Sequence, residues 1–126
     1  MAKQSEIYVC KLCGNTVEVL DGGSGSLVCC GQPMTLQKEN TVDASKEKHI
    51  PVVTIAEGQV SIQVGSVIHP MEEKHYIMWI EMTEGSQAKR QYFQPGEEPK
   101  ATFCTYGGPI SVRAFCNIHG LWKVGN

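Results

Sequence analysis

Short apolar segments separated by polar turns recur along the chain after residue 48. These segments are rich in valine, isoleucine and aromatic residues, and glycine or proline interrupts each of them before it reaches helical length. The pattern predicts a mainly β protein whose larger part is an antiparallel β-sandwich. The predicted strands cover residues 50–55, 59–64, 75–82, 90–94, 101–106, 110–115 and 121–124.

The clearest strand is predicted at residues 75–82, which are apolar on both faces except at the ends. A strand with two apolar faces is buried on both sides, so we expect it to lie centrally between two sheets. Its first residue, His75, is then expected at the rim of the sandwich.

The first 36 residues have a different composition. They contain four of the six cysteines and a glycine-rich turn at residues 21–26, but few large apolar side chains. Such a segment cannot build a sufficient core, and modules of this kind are usually stabilised by a metal ion or by disulfides. We therefore predict a small metal-binding domain at 1–36 and a β-sandwich domain at 37–126.

Overall composition excludes several classes of protein. Of the 126 residues, 41% are hydrophobic, which is enough for a core, and the formal net charge of −2 does not favour nucleic-acid binding. No apolar run resembles a signal peptide or a membrane span, so we expect a soluble cytoplasmic protein without a membrane partner. Cytoplasmic thiols are kept reduced, which favours cysteines as metal ligands over disulfides.

The first candidate metal site consists of Cys10, Cys13, Cys29 and Cys30. The spacing of the first two places both sulfurs on one side of a turn, and the second pair completes a tetrahedral four-sulfur site. Because adjacent residues in an extended chain point apart, the second pair requires a sharp bend, which Gly31 would help to relieve. Spacing leaves zinc, iron and a pair of disulfides open.

The second candidate site contains all four histidines and one late cysteine: His49, His69, His75, Cys116 and His119. A single histidine is more often a surface residue, but four with a cysteine in one small domain indicate a transition-metal site. Five donors leave an octahedral ion one position short, and an open position is typical of a reactive metal.

Two other protein classes fit parts of this pattern. A cupredoxin-like electron carrier also has a β-sandwich with a late cysteine and histidine, but it needs only two histidines and leaves no open position. A zinc-ribbon interaction module explains the four-cysteine site, but it leaves His49, His69 and His75 without a role.

Five motifs, in order, carry a resemblance to a known family: CxxC, CC, EKH, HPMEEKHYI and CNIHG. Together they closely resemble desulfoferrodoxin, the two-iron class of superoxide reductase, over nearly the whole chain. The resemblance implies a desulforedoxin-like domain with four cysteinates on one iron, followed by an immunoglobulin-like sandwich with the reactive iron. It assigns the two candidate sites above to these two iron ions.

The resemblance also implies the reaction, which is the one-electron reduction of superoxide to hydrogen peroxide without release of oxygen. Lys48 is expected to attract the anionic substrate and Glu47 to be the sixth ligand of the oxidised resting iron. A rubredoxin-like electron donor and a homodimer are further expectations. Superoxide dismutase is the closest alternative enzyme, but it must also oxidise superoxide. Cys104 lies outside both sites and is expected to be a small buried hydrophobic residue.

Overall fold

The computed structural model describes residues 2–41 and 49–125, which form strands and turns. The chain divides into two compact units, Met1–Lys38 and Glu39–Asn126. Within the described residues, no helix is long and apolar enough to cross a membrane. The predicted mainly β class is confirmed, whereas the predicted domain boundary between residues 36 and 37 stays a prediction.

The first unit contains five short strands and a small core. Strand β1 pairs antiparallel with both β2 and β5, and β3 forms a hairpin with β4. The side chains of Ile7, Cys10 and Val19 are buried there, and so small a core calls for additional stabilisation. The strands are β1 (Ile7–Val9), β2 (Thr16–Glu18), β3 (Val28–Cys29), β4 (Gln32–Pro33) and β5 (Thr35–Leu36).

The second unit contains a five-stranded sheet and a three-stranded sheet. Its strands are β6 (Glu39–Asn40), β7 (Pro51–Ala56), β8 (Gln59–Val64), β9 (Ile77–Glu84), β10 (Gln87–Tyr92), β11 (Lys100–Cys104), β12 (Ile110–Cys116) and β13 (Gly120–Gly125). The strand orders are β10-β9-β12-β13-β6 and β11-β8-β7. Pairing is antiparallel except between β13 and β6, which run parallel at the sheet edge. All seven strands predicted in this region are present, with ends displaced by a few residues.

The core of the second unit lies mainly between β8, β9 and β12. Alternate residues of β8 are buried, as expected for a strand with one face towards the core. Strand β9 is buried at six of its eight positions, as predicted. It pairs with β10 and β12 and is therefore an interior strand of the five-stranded sheet, not a strand between two sheets. His75, however, lies two residues before β9 instead of beginning it. Cys116, at the end of β12, is fully buried within this core.

The expectation that Cys104 is buried is wrong. Cys104 is the last residue of β11 and is exposed. Because side chains alternate between the faces of a strand, Cys104 shares the outward face with Lys100 and Thr102, while Ala101 points inwards.

Candidate metal centres

The four sulfur donors of the first unit converge near the ends of β1 and β3. The ligand atoms of Cys10, Cys13, Cys29 and Cys30 all lie within 4.8 Å of one another. The Sγ atoms of Cys13 and Cys29 are 3.6 Å apart, and those of Cys29 and Cys30 are 3.9 Å apart. A tetrahedral ion with metal–sulfur bonds of about 2.3 Å separates its sulfurs by roughly 3.8 Å, whereas a disulfide bond is about 2 Å long. These separations fit a four-sulfur metal site and exclude disulfides in this structure.

The pKa values of these four thiols also favour a bound metal ion. Backbone N–H donors, that of Cys13 above all, lower the pKa of Cys10 to about 6. The side-chain contacts of Cys30 with its sulfur neighbours, first Cys13 and then Cys29, raise the pKa of Cys30 to about 12. One of the four cysteines is therefore readily deprotonated. A second thiolate beside it is unfavourable, because like charges at this distance repel. A metal ion removes that repulsion, so the four residues fit a metal ion that binds thiolates, such as iron or zinc.

The sharp bend at the cysteine pair involves two residues in the left-handed region. Gly31 has a φ of 76°, as expected from the sequence, but Cys30 itself has a φ of 54°. A residue with a side chain in this region carries a cost of about 1–2 kcal/mol. The bend turns the sulfur of Cys30 towards that of Cys29, and the side-chain amide of Asn15 donates to the Cys29 sulfur at 3.6 Å.

The four histidine rings of the second unit occupy the corners of a square. Successive ring centroids are 4.9 Å apart for His49–His69, 4.7 Å for His69–His75, 4.9 Å for His75–His119 and 4.7 Å for His119–His49. The diagonal separation between His49 and His75 is 6.5 Å, close to the side length multiplied by the square root of two. Each side of the square is an edge-to-face contact. Such rings direct their nitrogens towards one centre.

Cys116 supplies the fifth donor. Its sulfur and the four imidazole nitrogens all lie within 4.8 Å of one another. The Cys116 Sγ is 3.9 Å from the Nδ1 of His119 and accepts a hydrogen bond from the His119 backbone N–H at 3.5 Å. Cys116 is fully buried, whereas His119 is exposed. The donor set therefore has a buried sulfur and an edge that faces solvent.

The protonation state of His69 fits metal binding. Its Nδ1 lies 2.7 Å from the carbonyl oxygen of Pro70, so Nδ1 carries the proton and donates it. The Nε2 atom is then a bare acceptor, and within residues 2–41 and 49–125 this buried atom has no hydrogen-bond partner. Burial lowers the pKa of His69 to about 4, so the ring is neutral at pH 7, as a metal ligand must be. A backbone bond on the other ring nitrogen is the usual way to orient such a ligand.

The five donors come from strand ends and connections on one side of the sandwich. His49 precedes β7, His69 and His75 lie between β8 and β9, Cys116 ends β12, and His119 lies in the turn before β13. Local sequence brings only Cys116 and His119 together, and the fold supplies the rest. The predicted substrate residues Glu47 and Lys48 lie outside the described residues.

Two residues beside this donor set were not predicted from the sequence to act on it. The indole of Trp122 stacks on the His49 ring, with centroids 4.8 Å apart and an interplanar angle of 17°. Asn117, between two of the donors, bonds to the backbone beside His75. In the sequence, Trp122 looks like any other apolar residue of a strand, so nothing indicates its contact with His49. For Asn117, the one indication is its position inside the CNIHG motif.

Comparison with known proteins agrees with both sites. The family profile described as desulfoferrodoxin matches residues 41–125, and that of the desulfoferrodoxin N-terminal domain matches residues 2–37. A desulfoferrodoxin of Syntrophotalea carbinolica is 57% identical over 123 residues, which is 98% of each chain. The two sites are consistent with the iron centres of that family.

Solved structures show the same similarity. The superoxide reductase of Treponema pallidum matches with a TM-score of 0.79 and 28% identity, over 98% of this chain and 99% of that one. The superoxide reductase (1Fe-SOR) of Giardia intestinalis matches with a TM-score of 0.58 and 32% identity, over 64% of this chain and 98% of that one. The chain therefore belongs to the desulfoferrodoxin family of two-domain superoxide reductases.

Proposed function

We propose that the chain reduces superoxide to hydrogen peroxide at iron held by the four histidines and Cys116. The observation that carries this proposal is the square of imidazoles beside the buried sulfur of Cys116. Each superoxide takes up one electron and two protons and gives one hydrogen peroxide, with no oxygen released. In dismutation, half of the superoxide is oxidised back to oxygen, whereas in this reaction all of it is reduced to hydrogen peroxide.

The geometry of the donors accounts for an open reaction site. The four histidines and Cys116 would hold the iron with five donors, which is one fewer than an octahedral ion accepts. Bound there, iron would supply the electron for the reduction and an open coordination position for superoxide. The hydrogen bond from the His119 backbone N–H to the Cys116 sulfur draws charge from the thiolate and so tunes its donation. The His69–Pro70 bond keeps the His69 Nε2 aimed inwards.

Lys48 is proposed to attract the substrate, and Glu47 is proposed to bind the iron of the oxidised resting state. An ammonium group beside His49 raises the local concentration of an anion against the net charge of −2, and orders water that protonates the product. Glu47 is proposed to ligate the iron in its oxidised resting state. These assignments come from the resemblance of the EKH motif to the family.

The product yield of the iron-loaded, pre-reduced protein tests the proposed reaction. One hydrogen peroxide per superoxide consumed, without oxygen, is the expected result. Half that yield with matching oxygen release would indicate dismutation instead. A protein verified to hold both iron ions that leaves superoxide unchanged would overturn the enzyme assignment.

Salt dependence tests the role of Lys48 separately from the chemistry. If its charge attracts superoxide, the second-order rate of the wild type falls as ionic strength rises, because salt screens exposed charges. The variant Lys48→Ala is expected to react more slowly at low salt and to lose most of this dependence. Lys46→Ala is the matched control, since it removes the same charge two residues away. Equal slopes for the two variants would count against Lys48.

Three further expectations are proposals at this stage: a rubredoxin-like electron donor, a cytoplasmic location and a homodimer. Apolar side chains exposed on the first unit support the homodimer, since Leu20 is 78% exposed and Val28 is 60% exposed. Leu20→Lys and Val28→Lys are expected to shift the sedimentation of the protein from dimer to monomer. Ile55→Lys is the control, because Ile55 is also 60% exposed but belongs to the second unit. A wild type that sediments as a monomer would refute the homodimer.

A further inference from the structure

Asn117 directly follows Cys116, the last residue of β12, and lies in the turn that carries His119. Its side chain is exposed, yet both ends of its carboxamide are engaged. The Oδ1 atom accepts the backbone N–H of Tyr76 at 2.9 Å, and the Nδ2 group donates to the carbonyl of Lys74 at 3.1 Å. The Asn117 backbone N–H adds a third bond, to the carbonyl of Tyr76 at 3.2 Å.

The two residues that Asn117 holds are the chain neighbours of His75. Lys74 precedes His75 and Tyr76 follows it, so the carboxamide bridges the backbone on both sides of this ligand. The same connection is closed on itself by two backbone bonds between Glu72 and His75, of 2.9 and 3.1 Å. The segment around His75 is therefore held internally by its own turn and externally by Asn117.

We propose that Asn117 is a positioning residue that fixes His75 relative to Cys116 and His119 and thereby slows loss of iron from the second site. The proposal rests on the ligand set of the proposed function. A carboxamide suits this task because it presents one donor and one acceptor at the same time. Aspartate keeps the acceptor for the Tyr76 N–H but has no donor for the Lys74 carbonyl. Water replaces either bond when the side chain is removed, but it does not fix the separation of the two segments.

The test measures iron release from the loaded full-length protein into a chelator, with the two sites distinguished by their visible absorption. Asn117→Ala is expected to release iron from the second site about 10- to 100-fold faster than the wild type. Asn117→Asp is also expected to release iron faster than the wild type, since its carboxylate keeps the acceptor for the Tyr76 N–H but sets an oxygen against the Lys74 carbonyl. The absorption and electron paramagnetic resonance spectra of the ferric second site are also expected to change, whereas release from the four-sulfur site is expected to stay unchanged.

Lys89→Ala is the matched control, because the Lys89 ammonium also donates from an exposed side chain to a backbone carbonyl, that of Cys104, at 2.9 Å. It is expected to leave iron release and spectra unchanged. Release within twofold of the wild type for both Asn117 variants, or equal acceleration by Lys89→Ala, would overturn the proposal. Iron release and spectra do not depend on turnover. A failure of the positioning role of Asn117 can therefore be distinguished from a failure of the proposed superoxide reaction.

Discussion

Acid is expected to destabilise the metal-free second unit through His69. The ring is only 2% exposed, and the rings of His49 and His75 lie 4.9 and 4.7 Å away. Burial, and after it the neighbouring charges, hold the pKa of His69 at about 4 in the folded state, against 6.5 in the unfolded chain. Between these two pH values His69 is protonated in the unfolded chain but neutral in the folded state. The free energy of unfolding therefore falls as the pH decreases.

The size of the effect follows from the difference between the two pKa values. Each pKa unit corresponds to about 1.4 kcal/mol, so the loss approaches about 3.5 kcal/mol once the pH is well below the folded value. Between pH 7 and pH 5, where most carboxylates stay ionised, about 2 kcal/mol of this loss is expected. Above about pH 8, the ring is neutral in both states and contributes no pH dependence.

Urea unfolding of the metal-free protein at pH 7 and pH 5 measures this loss. Both tryptophans, Trp79 and Trp122, lie in the second unit, so their fluorescence reports on that unit. His69→Gln is the control, since glutamine does not titrate and keeps an amide that can donate to the Pro70 carbonyl. The wild type should lose about 2 kcal/mol more than this variant over the interval. Equal losses in the two proteins would refute the assignment of the pH dependence to His69.

Four further variants are expected to separate effects on stability from effects on chemistry. Arg113→Met removes a partner of the buried Glu81 carboxylate, whose oxygen lies 2.7 Å from the Arg113 Nε, and should lower the free energy of unfolding in urea by about 3 kcal/mol. Lys100→Met is the control, because it breaks an exposed ion pair and should change the free energy of unfolding by less than about 0.5 kcal/mol. Cys13→Ser should remove the four-sulfur iron, measured by metal analysis, but retain one peroxide per superoxide because all five donors of the second site lie in the second unit. Cys116→Ser should abolish the sulfur-to-iron absorption of that site and lower its rate of superoxide reduction; retention of both would contradict the proposed ligand.

Local pattern predicted the strands of the second unit because alternation of apolar and polar residues follows directly from strand geometry. It failed where a long-range contact decides the local structure. His75 matches the start of a strand by composition, but the Glu72–His75 pair and the bonds of Asn117 hold it in a turn. Cys104 was assigned to the interior on its residue type, whereas its outward face depends on the register of β11 with β8.

The sequence by itself determined the donor types, their order and the resemblance to one family, since these depend on which residues are present and how far apart they lie. Only the tertiary structure decided the square of four imidazoles, because its corners come from segments up to 70 residues apart. It also decided which His69 nitrogen faces the site, through the Pro70 carbonyl, and which side of the donor set meets solvent. Distances and burial of this kind arise from packing, which no spacing along the chain encodes.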